Sequence, residues 1–565
     1  MRLKILRNIL FLLFLVLYAG IFRMQIIKGP EYFRQSENNR IRLVPEEASR
    51  GIIYDRNRIP LVENRLAFDV AAVPQEIEPE NKDVLFLKLS KLINVTPEAL
   101  ADTFARNADA FFSPVLIAGN VPRETAFLVE QEMAQLSGVF IKPRAIRYYP
   151  FAKAAAHLVG YVGKMRENEY PQLKKYGYRI KDVIGRNGLE RAFDDTLRGK
   201  PGGMQLEVDN TGHVVKVLSY RYPERGKDVY TVIDIKLQEL LCGLIGNTKG
   251  AAGVMDADSG EILALYSGPS YDPNFFVDTG KADEVKKILR DSDAPLINRN
   301  LKTYPPGSIF KIVTAYTGLF ENIITAQSTC DCTGEFIIGN STRNCWLKSG
   351  HGEVNVKKAL AVSCNVFFWD VGLKIGERIL SASAKEFGFG KATGIELPGE
   401  DAGTVPNARW KNSVLRQRWY GGDTVNFSIG QGYLLVSPVQ ALKMAALVAN
   451  GGHEVMPHIV KDEKRLKPGR NILSAEILRV VKKGMFAVVN SAEGTGRRAY
   501  LEGVDIYAKT GTAQVGGRPP HAWFVGFAEI SNKKICFAVF LEHGGHGGDQ
   551  AADIARQVIV YFKEH

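Results

Sequence analysis

Residues Ile9 to Phe22 read ILFLLFLVLYAGIF, an apolar run without a polar break. It extends to Ile5 and Ile27 with only Arg7, Asn8, Arg23 and Gln25 interrupting it. A helix over that stretch is about 34 Å long, enough to cross a hydrocarbon layer of about 30 Å. Arg2, Lys4 and Arg7 precede the run and no acid does. The positive-inside rule then puts the N-terminus in the cytoplasm and the rest of the chain beyond the membrane. A cleaved signal peptide is the competing reading, because the run also suits a signal core. Ala19-Gly20 lies inside the run and no A-x-A pattern follows, which favours an uncleaved anchor. The expected layout is a cytoplasmic tail over 1–8, a transmembrane helix over 9–27 and one exported body. That is a single-pass protein of the cell (inner) membrane, its body periplasmic or extracellular.

The body is long enough for several cores. The chain has 565 residues, 45% hydrophobic and 24% charged, which excludes a disordered or a polytopic protein. Its net charge of +12 suits an anionic polymer or a membrane surface. No run of five basic residues occurs, so no nucleic acid partner is expected. Short β-like runs (Gly51–Tyr54, Leu66–Val73) and helical patterns (Val84–Leu92, Glu124–Leu136) mix over the first part. Residues 221–229, RYPERGKDV, read as a boundary, dividing a domain over 28–225 from one over 226–565. The second opens with a helix over Ile235–Leu244 and a hairpin, Ala251–Asp256 and Glu261–Tyr266, turning on Ala257-Asp258-Ser259-Gly260. It closes with strands over Tyr507–Thr512, Ala522–Glu529 and Lys534–Leu541, then a helix over Gln550–Phe562. Strands at both ends with helices between them predict a mixed α+β fold whose terminal strands share one sheet.

Three short motifs carry chemistry. Pro305-Pro306-Gly307-Ser308-Ile309-Phe310-Lys311 opens a helix, and a spacing of three puts Ser308 and Lys311 on one face. A serine hydroxyl attacks poorly unless a base takes its proton, and a desolvated neutral lysine is such a base. Ser363-Cys364-Asn365 follows the helical run Val356–Ala361. Its hydroxyl can relay a proton and its amide can hold a peptide carbonyl, or both residues simply end a helix. Lys509-Thr510-Gly511-Thr512 lies on a strand. Gly511 lets a substrate backbone approach, and the lysine and threonines suit a carboxylate.

The order S-x-x-K, S-x-N, K-T-G resembles penicillin-binding proteins and related β-lactamases. Arg50-Gly51-Ile52-Ile53-Tyr54-Asp55-Arg56-Asn57 is similar to the R-G-x-I-x-D-R-N element of the class B penicillin-binding proteins. So is Gly185-Arg186-Asn187-Gly188-Leu189-Glu190 with Leu197-Arg198-Gly199 to their G-x-x-G-L-E element. Trp419–Thr424, Ile429–Gly432 and His521–Phe524 resemble the elongation-specific branch. The resemblance implies a non-catalytic, dimerisation-like pedestal over 28–225. A transpeptidase domain follows over 226–565, an antiparallel sheet flanked by helices as in serine β-lactamases. It implies a peptidoglycan D,D-transpeptidase that needs no cofactor, with D,D-carboxypeptidase as a side activity. Ser308 would attack the D-Ala-D-Ala amide of a stem peptide, Lys311 would be the base, Ser363 the relay and Asn365 a substrate clamp. Lys509, Thr510 and Thr512 would bind the terminal carboxylate, and the N–H groups of Ser308 and Thr512 would form the oxyanion hole. β-Lactams would be covalent inhibitors. A RodA-type glycosyltransferase and elongation-complex proteins would be partners. Two other readings share these residues: a β-lactamase or β-lactam sensor, and a scaffold for a glycan polymerase.

Cys330, Cys332, Cys345 and Cys364 crowd into one window together with His351. Thiolates and imidazole are zinc ligands, and a structural site needs four. Cys330, Cys345, His351 and Cys364 form the expected set for a structural zinc. A disulfide such as Cys330–Cys345 and free thiols stay open beside it. His543 and His546, in HGGHGG, suggest a metal less well than a glycine loop.

Overall fold

The apolar run forms the helix Arg2–Phe22, continued by a wider turn over Arg23–Ile27. Arg2–Ile27 is long and apolar enough to cross a membrane, and none of it is buried. The computed structural model describes residues 2–107, 114–133, 136–180, 182–209, 214–462 and 469–565. The chain forms two compact units, each from separated stretches: 1–51, 66–145 and 195–227 in the first, 52–65, 146–194 and 228–565 in the second.

In the first unit the helix Lys82–Ile93 turns Leu85, Phe86 and Leu89 into a core with Val70, Val115, Val129 and Val139. Strands Ile41–Glu46, Gly202–Val208 and Val214–Arg221 make a separate antiparallel sheet.

The second unit is built on a five-stranded antiparallel sheet. Its strands are β1 (Gly250–Asp256), β2 (Ile262–Gly268) and, in a later series, Asp505–Val515, Arg518–Ile530 and Lys533–Leu541. The last of these lies beside β1, Gly250 opposite Leu541, so the two ends of the domain share one sheet as the pattern predicts. The helices Ile235–Ile245 and Gln550–Glu564 cover one face, meeting Ala252, Val254, Phe537 and Val539. The helix Pro438–Ala449 covers the other, where Leu442 approaches Gly253. Helices on both faces explain why Ile535 to Leu541 is apolar throughout rather than alternating.

Between these strands run α1 (Lys311–Phe320), β3 (Thr329–Cys332), β4 (Glu335–Ile338), β5 (Ser341–Asn344), β6 (Gly352–Asn355), α2 (Val356–Ala361) and α3 (Asn365–Ile375). β3 pairs with β6, and β4 with β5 as a small hairpin. The later strands are β7 (Asp505–Val515), β8 (Arg518–Ile530) and β9 (Lys533–Leu541). The sheet order is β2-β1-β9-β8-β7, which leaves β7 at an edge.

Candidate active site

Ser308 sits in a 3₁₀ turn, Gly307–Phe310, that leads into α1. Residues three apart eclipse in such a turn, so Ser308 and Lys311 keep the common face expected of them. Ser308 is half-buried and Lys311 fully buried. The turn lies directly on β7. Gly307 has φ +56°, and a Cβ there would stand 2.9 Å from the Thr512 carbonyl oxygen. A Cβ on Gly511 would stand 2.9 Å from Trp523 Cβ and 3.0 Å from the Pro306 oxygen. Glycine at both places is what lets serine and strand meet. Trp523 Nε1 donates to the Pro305 oxygen at 3.0 Å and fixes the approach to the turn.

Ser363 follows the end of α2 with φ +54°. Its N–H donates to the Leu360 oxygen (3.3 Å) and the next N–H, of Cys364, to the Ala359 oxygen (2.9 Å). That bond pair closes helices on a left-handed residue, usually glycine. A serine there stores about 1–3 kcal/mol of backbone strain. The left-handed residue carries the hydroxyl on which both lysines converge. Lys311 Nζ donates to Ser363 Oγ (3.2 Å), to the Ser363 carbonyl (2.9 Å) and to Asn365 Oδ1 (2.6 Å). Lys509 Nζ donates to the same Oγ (2.9 Å) and to the Thr510 carbonyl (3.0 Å).

Both lysines are fully buried. Desolvation pulls Lys311 down to about 8. Burial, and then the neighbouring Lys311 charge, hold Lys509 well below the ordinary lysine value. Two cations sharing one hydroxyl in a dry site oppose each other, so a neutral amine is favoured there. The cleft above has a volume of about 920 Å³. Ser308, Ser363, Asn365, Thr510 and Thr512 line it. Thr510 Oγ1 bonds Thr495 Oγ1 at 2.8 Å. Gly511 is in the strand register opposite Trp523. The site residues expected from the three motifs thus meet in one place.

The cysteine window folds differently from its expected ligand set. Cys332, Cys345, His351 and Cys364 place one donor atom each within 4.8 Å of one another. Cys332 replaces the expected Cys330. β3 explains the exchange: Cys332 pairs with Gly352, next to His351, whereas Cys330 pairs two residues further along with Val354. Cys332 and Cys345 Sγ lie 3.5 and 3.6 Å from His351 Nδ1. All six cysteines are free, so the disulfide reading does not hold in this structure. The Cys364 thiol and the N–H groups of Asn365, Val366 and Leu347 pull Cys345 down to about 4. The Asn365 N–H lies 3.4 Å from Cys345 Sγ, which ties the cluster to the second motif. His543 instead serves a loop: its N–H donates to His521 Nδ1 at 3.0 Å and its Nδ1 lies 2.7 Å from the Pro519 oxygen. His546 lines the cleft.

Sequence reasoning left Cys332 out of the ligand set and missed Thr495 and the cleft residues Arg343 and Trp346. The alternation of Cys330 and Cys332 along one strand offered no choice between them without the β6 register. Arg343 carries no motif.

Residues 250–560 match the penicillin binding protein transpeptidase domain, and residues 45–231 the penicillin-binding protein dimerisation domain. A Haemophilus influenzae protein described as peptidoglycan D,D-transpeptidase MrdA is 33% identical, over 97% of this chain and 89% of its own. A solved complex of penicillin-binding protein PBP2 and MreC from Helicobacter pylori matches with a TM-score of 0.81 and 30% identity, covering 92% of this chain and 99% of that one. A structure described as "Structural coordination of polymerization and crosslinking by a peptidoglycan synthase complex" matches with a TM-score of 0.74 and 27% identity, over 100% of this chain and 98% of that one.

Proposed function

The chain belongs to the class B penicillin-binding proteins, and from that premise we propose that it is the peptidoglycan D,D-transpeptidase of cell elongation, with Ser308 as its nucleophile. Ser308 Oγ attacks the carbonyl carbon between the two terminal D-alanines of a stem peptide, and its proton passes to neutral Lys311 Nζ. The N–H groups of Ser308 and Thr512 hold the oxyanion, each such donor being worth about 3 kcal/mol of barrier. The C–N bond then breaks. The leaving D-alanine takes a proton through Ser363 Oγ, which both lysines contact. An amine of a second strand attacks the ester, forms the cross-link and releases Ser308. Water in place of the amine gives the D,D-carboxypeptidase side reaction. Thr510 and Thr512 bind the terminal carboxylate from the cleft wall, and Lys509, buried behind them, holds the Thr510 carbonyl and the Ser363 hydroxyl in place. The observation that carries this reading is the convergence of two buried lysines on one hydroxyl in the cleft that Ser308 lines. Peptide mass mapping of a penicillin adduct tests it. The adduct belongs on the Ser308 peptide and is absent from Ser308→Ala; an adduct elsewhere refutes the assignment.

The helix Arg2–Ile27 anchors the protein in the inner membrane, N-terminus inside, because Arg2, Lys4 and Arg7 flank it on that side. Residues 28–225 serve as the pedestal and 226–565 as the transpeptidase domain in this reading, although 52–65 and 146–194 fold into the same compact unit as 228–565. A RodA-type glycan polymerase and elongation-complex proteins are the partners, a reading supported by the relatives solved with MreC and in a synthase complex.

Cys332, Cys345, His351 and Cys364 form a structural zinc site in this reading. Three sulfurs and one imidazole nitrogen suit a tetrahedral ion, whose Zn–S and Zn–N lengths put S and N about 3.6 Å apart. The two S···N separations of 3.5 and 3.6 Å support that fit. The site would hold the start of α3, and so Asn365, in place. Metal analysis of protein purified without added zinc tests it, one ion per chain being the expected result.

A further inference from the structure

The β4–β5 hairpin forms one wall of the catalytic cleft, through Thr342, Arg343 and Asn344. Its base is fixed. The Cys345 N–H donates to the Gly334 oxygen at 2.8 Å, and Phe336 stacks obliquely on Trp369 of α3 at 5.7 Å. The Ile338 side chain stands beside Gly421, and Arg343 Nη2 lies 3.9 Å from where a Gly422 Cβ would be. The hairpin therefore holds its arginine at a set place relative to α3, which begins with Asn365.

The charges around that arginine are uneven. Lys311 and Lys509 are wholly buried and engaged with Ser363. Arg343 is exposed, and among the described residues it has no carboxylate partner. Among the described residues the one acid on the cleft wall, Asp549, faces Arg498 at 3.5 Å. A planar guanidinium on an open wall, flanked by Thr342 and Asn344, is built to take a carboxylate in a two-point contact. The motif threonines already take the terminal carboxylate, so this second cation addresses a different one.

We propose that Arg343 is a specificity residue that binds a second, internal carboxylate of a peptidoglycan peptide strand in the cleft. This rests on the transpeptidase reading of the same cleft. Either strand can present the group: the donor that acylates Ser308, or the acceptor whose amine attacks the ester. In both cases the arginine selects a free carboxylate over its amide, since an amide offers one weaker acceptor and no charge.

Two assays with full-length protein in detergent test it. In the first, soluble stem peptides ending in D-Ala-D-Ala, with internal carboxylates free or amidated, acylate Ser308 without an acceptor, and the ester is followed by mass spectrometry. In the second, transfer to acceptor amines with free or amidated carboxylates is measured. Wild type favours the free carboxylate in one assay, which identifies the strand. Arg343→Gln lowers that preference roughly tenfold, and Arg343→Lys keeps part of it. The wild-type preference also shrinks as salt is raised, because the hairpin is exposed. A wild type without preference in either assay, or an Arg343→Gln protein with an unchanged ratio, overturns the inference. Failure of wild-type Ser308 to be acylated by peptide or penicillin overturns instead the reading on which it rests.

Discussion

Lys311 is where burial becomes chemistry. Water loss around the ammonium pulls it to about 8, so the neutral base accumulates as pH rises towards and past that value. Acylation of Ser308 by penicillin should therefore climb with pH through about 8 and level above it, a profile measurable by stopped-flow quenching; a rate flat from pH 6 to 9 would remove Lys311 from the base role. Ser363 is the second case. The sequence allows either a relay hydroxyl or a helix end, and the structure puts the hydroxyl that both lysines contact on the left-handed residue that ends α2, with φ +54°. Such a backbone angle is invisible in a three-letter motif, because serine rarely adopts it. Two variants separate the roles. Ser363→Ala and Ser363→Gly both lose the hydroxyl and with it acylation. Ser363→Gly should unfold at higher denaturant, by about 1 kcal/mol, because glycine carries no left-handed penalty.

Elements were legible where their period was strong. The closing strands and helix follow from alternation and amphipathicity; the last strand ends at Leu541 and the helix starts at Gln550 as expected, and the other observed bounds lie outside the expected ones. Contacts between elements were not legible. Gly511 reads as an open stretch of strand, yet its missing side chain is the space that the 306–309 turn occupies. Gly511→Ala should push that turn off β7 and cut acylation by two orders of magnitude or more, while far-UV circular dichroism stays that of the parent. The G-x-x-G-L-E element likewise acquires a reason. Glu190 is fully buried and accepts from Arg147 Nε at 2.5 Å, and Arg147 also donates to Asn64 at 3.0 Å. Glu190→Ala leaves that guanidinium buried without its counter-charge. It should cost about 3–5 kcal/mol in denaturant unfolding. A loss below 1 kcal/mol would mean that water reaches the arginine. Asp55, in the other upstream element, closes a tight turn by accepting from the Asn57 and Ile59 N–H groups.

At the scale of the molecule, the compact units interleave along the chain, which no linear reading of composition can express. Residues 146–194 pack with the catalytic sheet: Gln238 Nε2 donates to the Ala154 oxygen (2.7 Å), and His157 lies 2.8 Å from the Pro295 oxygen through Nε2. Such bonds pair residues 84 and 138 positions apart, and hydropathy carries no trace of them. The apolar helix is the opposite case, read from sequence alone because only local composition matters to it. None of Arg2–Ile27 is buried, so neither core depends on it. A chain starting at residue 28 should then fold, stay soluble without detergent and be acylated by penicillin within about twofold of the full-length rate, since the cleft keeps every contact. Flotation with lipid vesicles should be lost in the same protein, because the positive charge of the body is screened at physiological salt and cannot replace a buried span of some twenty apolar residues. A shortened chain that aggregates, or that is acylated tenfold more slowly, would show that the anchor stabilises the catalytic unit as well as tethering it.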